Sequence, residues 1–294
     1  MSRKKTKVAI VALVLLAIVI GCVVGSSEAD TKGVSGTVNI AGSSALLPLA
    51  QNAAKTFMDK NPDSVINTNG GGSGQGLQQV SDGTIDIGDS DLLADEKLDK
   101  KSASKLVDHQ VAITVIAPII NKDAGVKSLT TEQLIKVFTG KVTNWKQVGG
   151  NDCQIVLVSR PSSSGTRVTF EQYALKKHAS QSNQSLETDD SGTLIQMIQS
   201  VSGSIGYVAL SYLTGDPQVG IVSINGVKPS LKNVYNGKYT VWSYEHMYTK
   251  GQPKGAAKAF LQQMLSEEYG KKIEAMGYGI ASKLTAAAKA THTK

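Results

Sequence analysis

Residues 36–57 read GTVNIAGSSALLPLAQNAAKTF, and this run decides the fold class. Gly36–Ile40 reads as a short strand, and Leu46, Leu49, Ala50, Ala53 and Phe57 then recur at helical spacing. The same alternation continues outward. Asn61-Pro62-Asp63 ends the helix, Val65–Asn69 extends into Gly70-Gly71-Gly72-Ser73-Gly74, and a second helix starts near Gln75. Ile85–Gly88 is another short strand, and the apolar stretch Val111–Ile120 suits a buried one. Thr130 with Gln133 forms a capping box, Leu129 and Leu134 are spaced for a hydrophobic staple, and Gly140 sits where that helix should stop. Gln154–Ser159 is a β run ending at Arg160, followed by a helix over Gly165–Lys177. A helix over Thr193–Ser200 and strands at Ile205–Ala209 and Val219–Ile224 follow. Ala257, Phe260, Leu261, Met264 and Leu265 form a helical stripe that reads as core packing. Strands alternating with helices predict α/β domains on largely parallel sheets, which bind ligands beyond the carboxyl ends of their strands, at helix N-termini.

At 294 residues the chain reaches the size at which single cores stop growing, so two domains are expected. Its net charge of +7 owes four charges to Arg3, Lys4, Lys5 and Lys7, and falls to +3 without them. No basic run with interleaved aromatics remains, which argues against nucleic-acid binding. The four cations precede an apolar run, Val8–Ile20, that is too short to span a bilayer comfortably and suits a signal-peptide core. Val19-Ile20-Gly21-Cys22 resembles a bacterial lipobox, which makes residues 1–21 a signal peptide and Cys22 a lipidated N-terminus carrying acyl chains such as palmitate. An uncleaved anchor is the alternative, because apolar residues continue through Val24. Residues 22–35, with their small polar run SSEADTKGVS, read as a flexible tether. Cys153 is then left without a disulfide partner and reads as a buried small hydrophobe.

Three loops share one design: Ala41-Gly42-Ser43-Ser44-Ala45, Gly72-Ser73-Gly74-Gln75-Gly76 and Arg160-Pro161-Ser162-Ser163-Ser164-Gly165-Thr166. Each presents backbone N–H groups and a hydroxyl at a helix start, where the helix dipole favours an anion. A single such loop is explained by capping alone; three, one of them carrying an arginine, point to an oxyanion site. Arg160 supplies a planar fork suited to a tetrahedral oxyanion, although a salt bridge would use it equally. Asp91, within Ile87-Gly88-Asp89-Ser90-Asp91, is either a cap for the Ala94–Leu98 segment or an acceptor for a proton that the ligand keeps.

The series Gly42-Ser43-Ser44, Gly72-Ser73-Gly74-Gln75-Gly76, Asp86-Ile87-Gly88-Asp89-Ser90-Asp91, Phe138-Thr139-Gly140, Thr143-Asn144-Trp145, Ser159-Arg160, Ser164-Gly165-Thr166-Arg167 and Ile205-Gly206-Tyr207 resembles the PstS family of phosphate-binding proteins, in its lipid-anchored Gram-positive branch. The match runs in order from about Gly36 to Tyr248. The resemblance implies a type II periplasmic-binding-protein-like fold of two lobes, with the ligand in the cleft between them. Lobe 1 is expected over residues 36–114 and 246–294, and lobe 2 over 115–245. It also implies a monomer held at the outer face of the cell membrane by its lipid anchor. The ligand is inorganic phosphate, passed to the membrane subunits of an ABC permease with their ATPase. Carried over by position, Ser44 and the Ala45 N–H serve the anion from the first loop and Ser73 from the second. Arg160, Ser164, Gly165 and Thr166 serve it from the third, while Asp91 accepts the phosphate's own proton. Many relatives place an acidic partner for the arginine two positions after it, where this chain has Ser162, and Ser163 replaces a glycine.

Nothing in the sequence favours catalysis, a cofactor or a metal. His109, His178, His246 and His292 form no metal-binding spacing, Gln75 breaks a G-x-S-x-G elbow at Ser73, and neither a Walker A motif nor a G-x-G-x-x-G occurs. The remaining alternatives are a binder of another tetrahedral oxyanion, such as sulfate or molybdate, and a surface signalling or adhesion protein on the same fold.

Overall fold

The computed structural model describes residues 33–180 and 186–292. The expected signal peptide, Cys22 and most of the tether lie outside the described residues. Its centre is a mixed nine-stranded sheet in the order β2-β1-β3-β11-β4-β8-β6-β7, with β9 also paired to β4 and with parallel pairing towards both ends. β1 (Gly36–Gly42) runs parallel to both β2 (Ser64–Asn69) and β3 (Ile87–Ser90), and β6 (Val156–Ser159) runs parallel to β7 (Leu186–Glu187) and β8 (Ser204–Ala209). The middle is antiparallel. β4 (Leu106–Ile120) pairs over Leu106–Val115 with β11 (Trp242–Lys250), then over Ile116–Ile120 with β8 and β9 (Gly220–Ile221). One long strand thus joins two half-sheets. β5 (Ser128–Leu129) and β10 (Ser223–Ile224) form a separate parallel pair.

Helices cover the sheet: α1 (Leu47–Lys60), α2 (Ser73–Asp82), α3 (Thr131–Phe138), α4 (Gly165–Tyr173), α5 (Ser191–Ser200) and α6 (Gly255–Met264). The capping box closes α3, with Thr130 Oγ1 accepting from Gln133 N and Gln133 Oε1 accepting from Thr130 N. α4 stops at Tyr173 rather than Lys177, because Lys176 and Lys177 adopt left-handed backbone (φ 49° and 68°) that ends helical hydrogen bonding. The strand expected at Ile85–Gly88 lies at Ile87–Ser90, which carries it up to Asp91. Cys153 is half-buried rather than buried, at the margin of a core cluster, with Sγ 3.7 Å from Asp123 O.

Two main apolar cores flank the long strand. Val38, Ile40, Leu49, Phe57, Ile87, Met247, Phe260 and Tyr278 belong to one, and Val115, Phe138, Trp145, Phe170, Tyr207, Tyr239 and Trp242 to the other. The end of the chain returns to the second core, where Leu284 and Ala288 are buried. There Thr285 N donates to Tyr235 O (3.0 Å), and His292 packs on Trp242 with Nε2 2.8 Å from the Trp242 carbonyl. Among the described residues, no helix is long and apolar enough to cross a membrane.

Candidate functional site

The carboxyl end of β1 turns into α1 through Ser43, Ser44, Ala45 and Leu46, and all four are buried. Gly42 makes this turn possible. Its φ of +140° suits glycine, and a Cβ there would run into the Asp89 backbone of β3. Ser43 Oγ accepts from the N–H groups of Ala45 (3.1 Å) and Leu46 (3.2 Å) and donates to Asp91 Oδ1. The Ala45 N–H expected to serve an anion donates here to Ser43 Oγ, and Ser43 is tied in turn to Asp91. Ser44 Oγ points the other way, 3.1 Å from the Asp189 carbonyl and 3.1 Å from Ser191 Oγ.

α2 begins at Ser73 and packs close enough to β1 that a Cβ on Gly76 would lie 2.6 Å from Ala41 O. Ser73 Oγ accepts from Asp91 N (3.0 Å) and donates to Asp91 Oδ1 (3.3 Å). α4 begins at Gly165 with Ser164 as its N-cap, the Ser164 hydroxyl accepting from Arg167 N (3.3 Å). Thr166 Oγ1 donates to Asp91 Oδ2 (2.8 Å). Asp91 is thus not the cap of the following turn, whose N-cap position is Leu93 with no side-chain bond. It is a buried carboxylate gathered by three hydroxyls, from Ser43, Ser73 and Thr166. The site residues carried over from the family accordingly lie together: Ser44, Ser73, Asp91, Arg160, Ser164, Gly165 and Thr166 are all buried where the two half-sheets meet.

Arg160 is fully buried. Its Nη1 donates to Ser44 Oγ (3.1 Å) and to the Asp189 carbonyl (3.4 Å), and its Nη2 donates to Ser191 Oγ (2.6 Å). Nε has no partner, and among the described residues no carboxylate forms a salt bridge with this guanidinium. Burial pulls its pKa below the usual arginine value, opposed by Tyr207, Asp91 and Asp189 nearby. Neutral hydroxyls and a carbonyl therefore orient the fork, in place of the acid missing at Ser162. The Ser162 carbonyl instead accepts from Lys97 Nζ (2.9 Å). A buried cation that no carboxylate pairs directly is costly unless an anion joins it.

Ser191 was not singled out from the sequence, although a signal existed: Ser191-Gly192-Thr193 repeats the Ser164-Gly165-Thr166 triplet at the start of α5. The other unassigned members are acids. Asp89 and Glu245 are both buried, and burial raises each carboxyl well above its ordinary range, helped by the charge of Asp91. Contacts between the halves close over the site. Gly74 N donates to Ser163 O (3.0 Å), Tyr212 OH donates to Ser44 O (2.8 Å), and Gly165 lies so near Ser73 that a Cβ would strike its hydroxyl.

Residues 27–268 match the family model of the PBP superfamily domain. The phosphate-binding protein PstS of Bacillus subtilis is 48% identical over 248 residues, covering 84% of this chain and 81% of that protein. Among solved structures, a substrate-binding protein with bound phosphate from Clostridium perfringens, assigned to a phosphate ABC transporter, superposes with a TM-score of 0.74 at 31% identity. That match covers 83% of this chain and 98% of the other. An ABC-type phosphate transport receptor from Vibrio cholerae shares the fold, with a TM-score of 0.64 at 24% identity over 83% of this chain and all of its own.

Proposed function

The chain belongs to the PBP superfamily and, within it, to the PstS family of phosphate-binding proteins, and from that premise we propose that it captures inorganic phosphate and delivers it to an ABC-type import permease. The observation that carries this reading is Arg160, fully buried, held by Ser44, Ser191 and the Asp189 carbonyl, and lacking a partner at Nε. In a dry site, that charge favours a bound anion far more than it would in water. The starts of α2, α4 and α5 add free N–H groups and partial positive charge. Ser44, Ser73, Ser164, Gly165 and Thr166 then donate to the phosphate oxygens, with the hydroxyls turning from Asp91 and their neighbours. Asp91 accepts the proton that phosphate retains near neutral pH. A carboxylate can only accept, so it discriminates against sulfate, which has no such proton.

In this reading two lobes close on the ligand: residues 36–114 with 246–280 form one, and 115–245 the other. The run from Ala281 goes with the second lobe, because Leu284 and Ala288 pack there. β4 and β11 are the two strands that pass between lobes, and so serve as the hinge. The protein acts as a monomeric binder and not as an enzyme, outside the cell membrane and anchored by acyl chains on Cys22 after loss of residues 1–21. Calorimetric titration with phosphate, arsenate and sulfate tests the ligand: heat with phosphate and none with sulfate is expected, and comparable binding of both would overturn the assignment. A Cys22→Ala variant should accumulate as unprocessed chain without acyl label, and normal labelling would refute the anchor.

A further inference from the structure

Glu245 has no role in the reading above, yet it is fully buried in the centre of the sheet beside the anion site. β11 shifts register between Glu245 and His246, a bulge of the kind that re-aims a side chain. β11 pairs with β3 through His246 opposite Ser90 and Met247 opposite Asp89, which brings the next residue, Glu245, beside Asp91, and its carboxyl feels the charges of Asp91 and Asp89. Tyr212 and Tyr278 face it from the other elements packed there. Arg160 faces Asp91 from the opposite half.

Two ionised carboxylates can only accept hydrogen bonds, so neither can satisfy the other, and both Glu245 oxygens stand without a hydrogen-bond partner. One proton shared by the pair resolves this. A protonated Glu245 donates to Asp91. The proton belongs on Glu245 rather than Asp91, because Ser43, Ser73 and Thr166 already donate to Asp91 and favour its ionised form.

We propose that Glu245 is a positioning residue of the anion site, a neutral acid whose proton is donated to Asp91 and decides which Asp91 lone pairs remain for the ligand. It also sets the charge of the site. With Glu245 neutral, a bound oxyanion meets one carboxylate opposite Arg160. With Glu245 ionised, it meets two, and the second repels it. The proposal rests on phosphate being the ligand, and it adds a pH dependence that Asp91 alone does not supply: binding should weaken at alkaline pH as Glu245 loses its proton.

The test uses the full chain and the variants Glu245→Gln and Glu245→Leu. Glutamine can still donate to Asp91, whereas leucine cannot. Phosphate titration should show roughly tenfold weaker binding for Glu245→Leu, the equivalent of about one good hydrogen bond. Glu245→Gln should restore most of that loss and should lack the alkaline weakening seen in the wild type. Infrared difference spectra without phosphate should show a protonated-carboxyl band near neutral pH that is missing from Glu245→Gln, apart from any band due to Asp89. An unchanged spectrum in Glu245→Gln, or an alkaline fall in affinity equal to that of the wild type, overturns the proposal. If the wild type gives no heat with phosphate, the ligand assignment fails, and the infrared band alone then decides for or against the protonated acid.

Discussion

Replacing Arg160 by methionine separates a ligand-binding cation from a structural one. The guanidinium is fully buried, makes three bonds to neutral groups and leaves Nε unpaired. Removing a charged donor from a desolvated interface typically costs about 2–5 kcal/mol of binding. Phosphate affinity should therefore drop roughly thirtyfold to a few thousandfold, at about 1.4 kcal/mol per factor of ten. Stability without ligand should behave differently. Methionine fills much of the same volume without the cost of burying a charge, and swaps of this kind are often neutral or stabilising. Ser44 and Ser191 are not orphaned by the change, because they remain 3.1 Å from each other and Ser44 keeps the Asp189 carbonyl. Thermal unfolding with and without phosphate reads both effects. At a phosphate concentration about one hundred times the wild-type Kd, ligand should stabilise the wild type by about 2.7 kcal/mol. In Arg160→Met the same concentration should contribute under about 1 kcal/mol. With about 2–4 °C of Tm per kcal/mol in a domain of this order of size, the ligand-induced shift should shrink to less than half. Binding within threefold of the wild type, or a ligand-free variant that no longer folds, would refute the assignment of Arg160 as the anion's cation.

Asp91→Asn should narrow the preference for phosphate over sulfate, which sites built on one specific hydrogen bond can hold at roughly 10⁴–10⁵; competition calorimetry measures it, and unchanged affinities for both anions would leave Asp91 without that role. Gly165→Ala puts a Cβ against Ser73 Cβ (2.9 Å) and Asp91 Cβ (3.0 Å), so closure should be obstructed and phosphate affinity should fall at least about tenfold. Wild-type affinity in that variant would show that the halves need not approach so closely. Burial, helped by the charge of Asp91, raises the Asp89 carboxyl well above its ordinary range, so its folded pKa lies above the unfolded one. Its contribution to stability is therefore full below the unfolded carboxylate range and is lost as pH rises through the folded pKa. Asp89→Asn should flatten the decline in urea-unfolding stability as pH rises above the unfolded carboxylate range, and parallel curves for variant and wild type would contradict the raised Asp89 pKa.

Most of the fold was legible because its parts are local. The capping box at Thr130 and Gln133 and the apolar stripe containing Phe260, Leu261 and Met264 each depend on residues within a few positions of one another. β11 depends on no such pattern. Ser243, Glu245, His246 and Thr249 are buried polar residues interleaved with Trp242, Tyr244 and Met247, so neither alternation nor an apolar run marks the strand. Its place between β3 and β4 comes from pairing with segments more than a hundred residues away, which no window of sequence can contain. The site divides along the same line. Loops that end one strand and begin one helix, as at Ser44, Ser73 and Ser164, carry their chemistry in their own few residues, and their repetition three times over made them legible. Ser43, Ser191 and Glu245 differ, because what matters for each is the group it meets: Asp91 for the first, Arg160 for the second, Asp91 again for the third. Of the polar residues that spoil the sequence signature of β11, Glu245 is thus the one that lies beside Asp91. A central strand made only of Val and Ile would have been easier to read, and would have had no carboxyl group to offer Asp91.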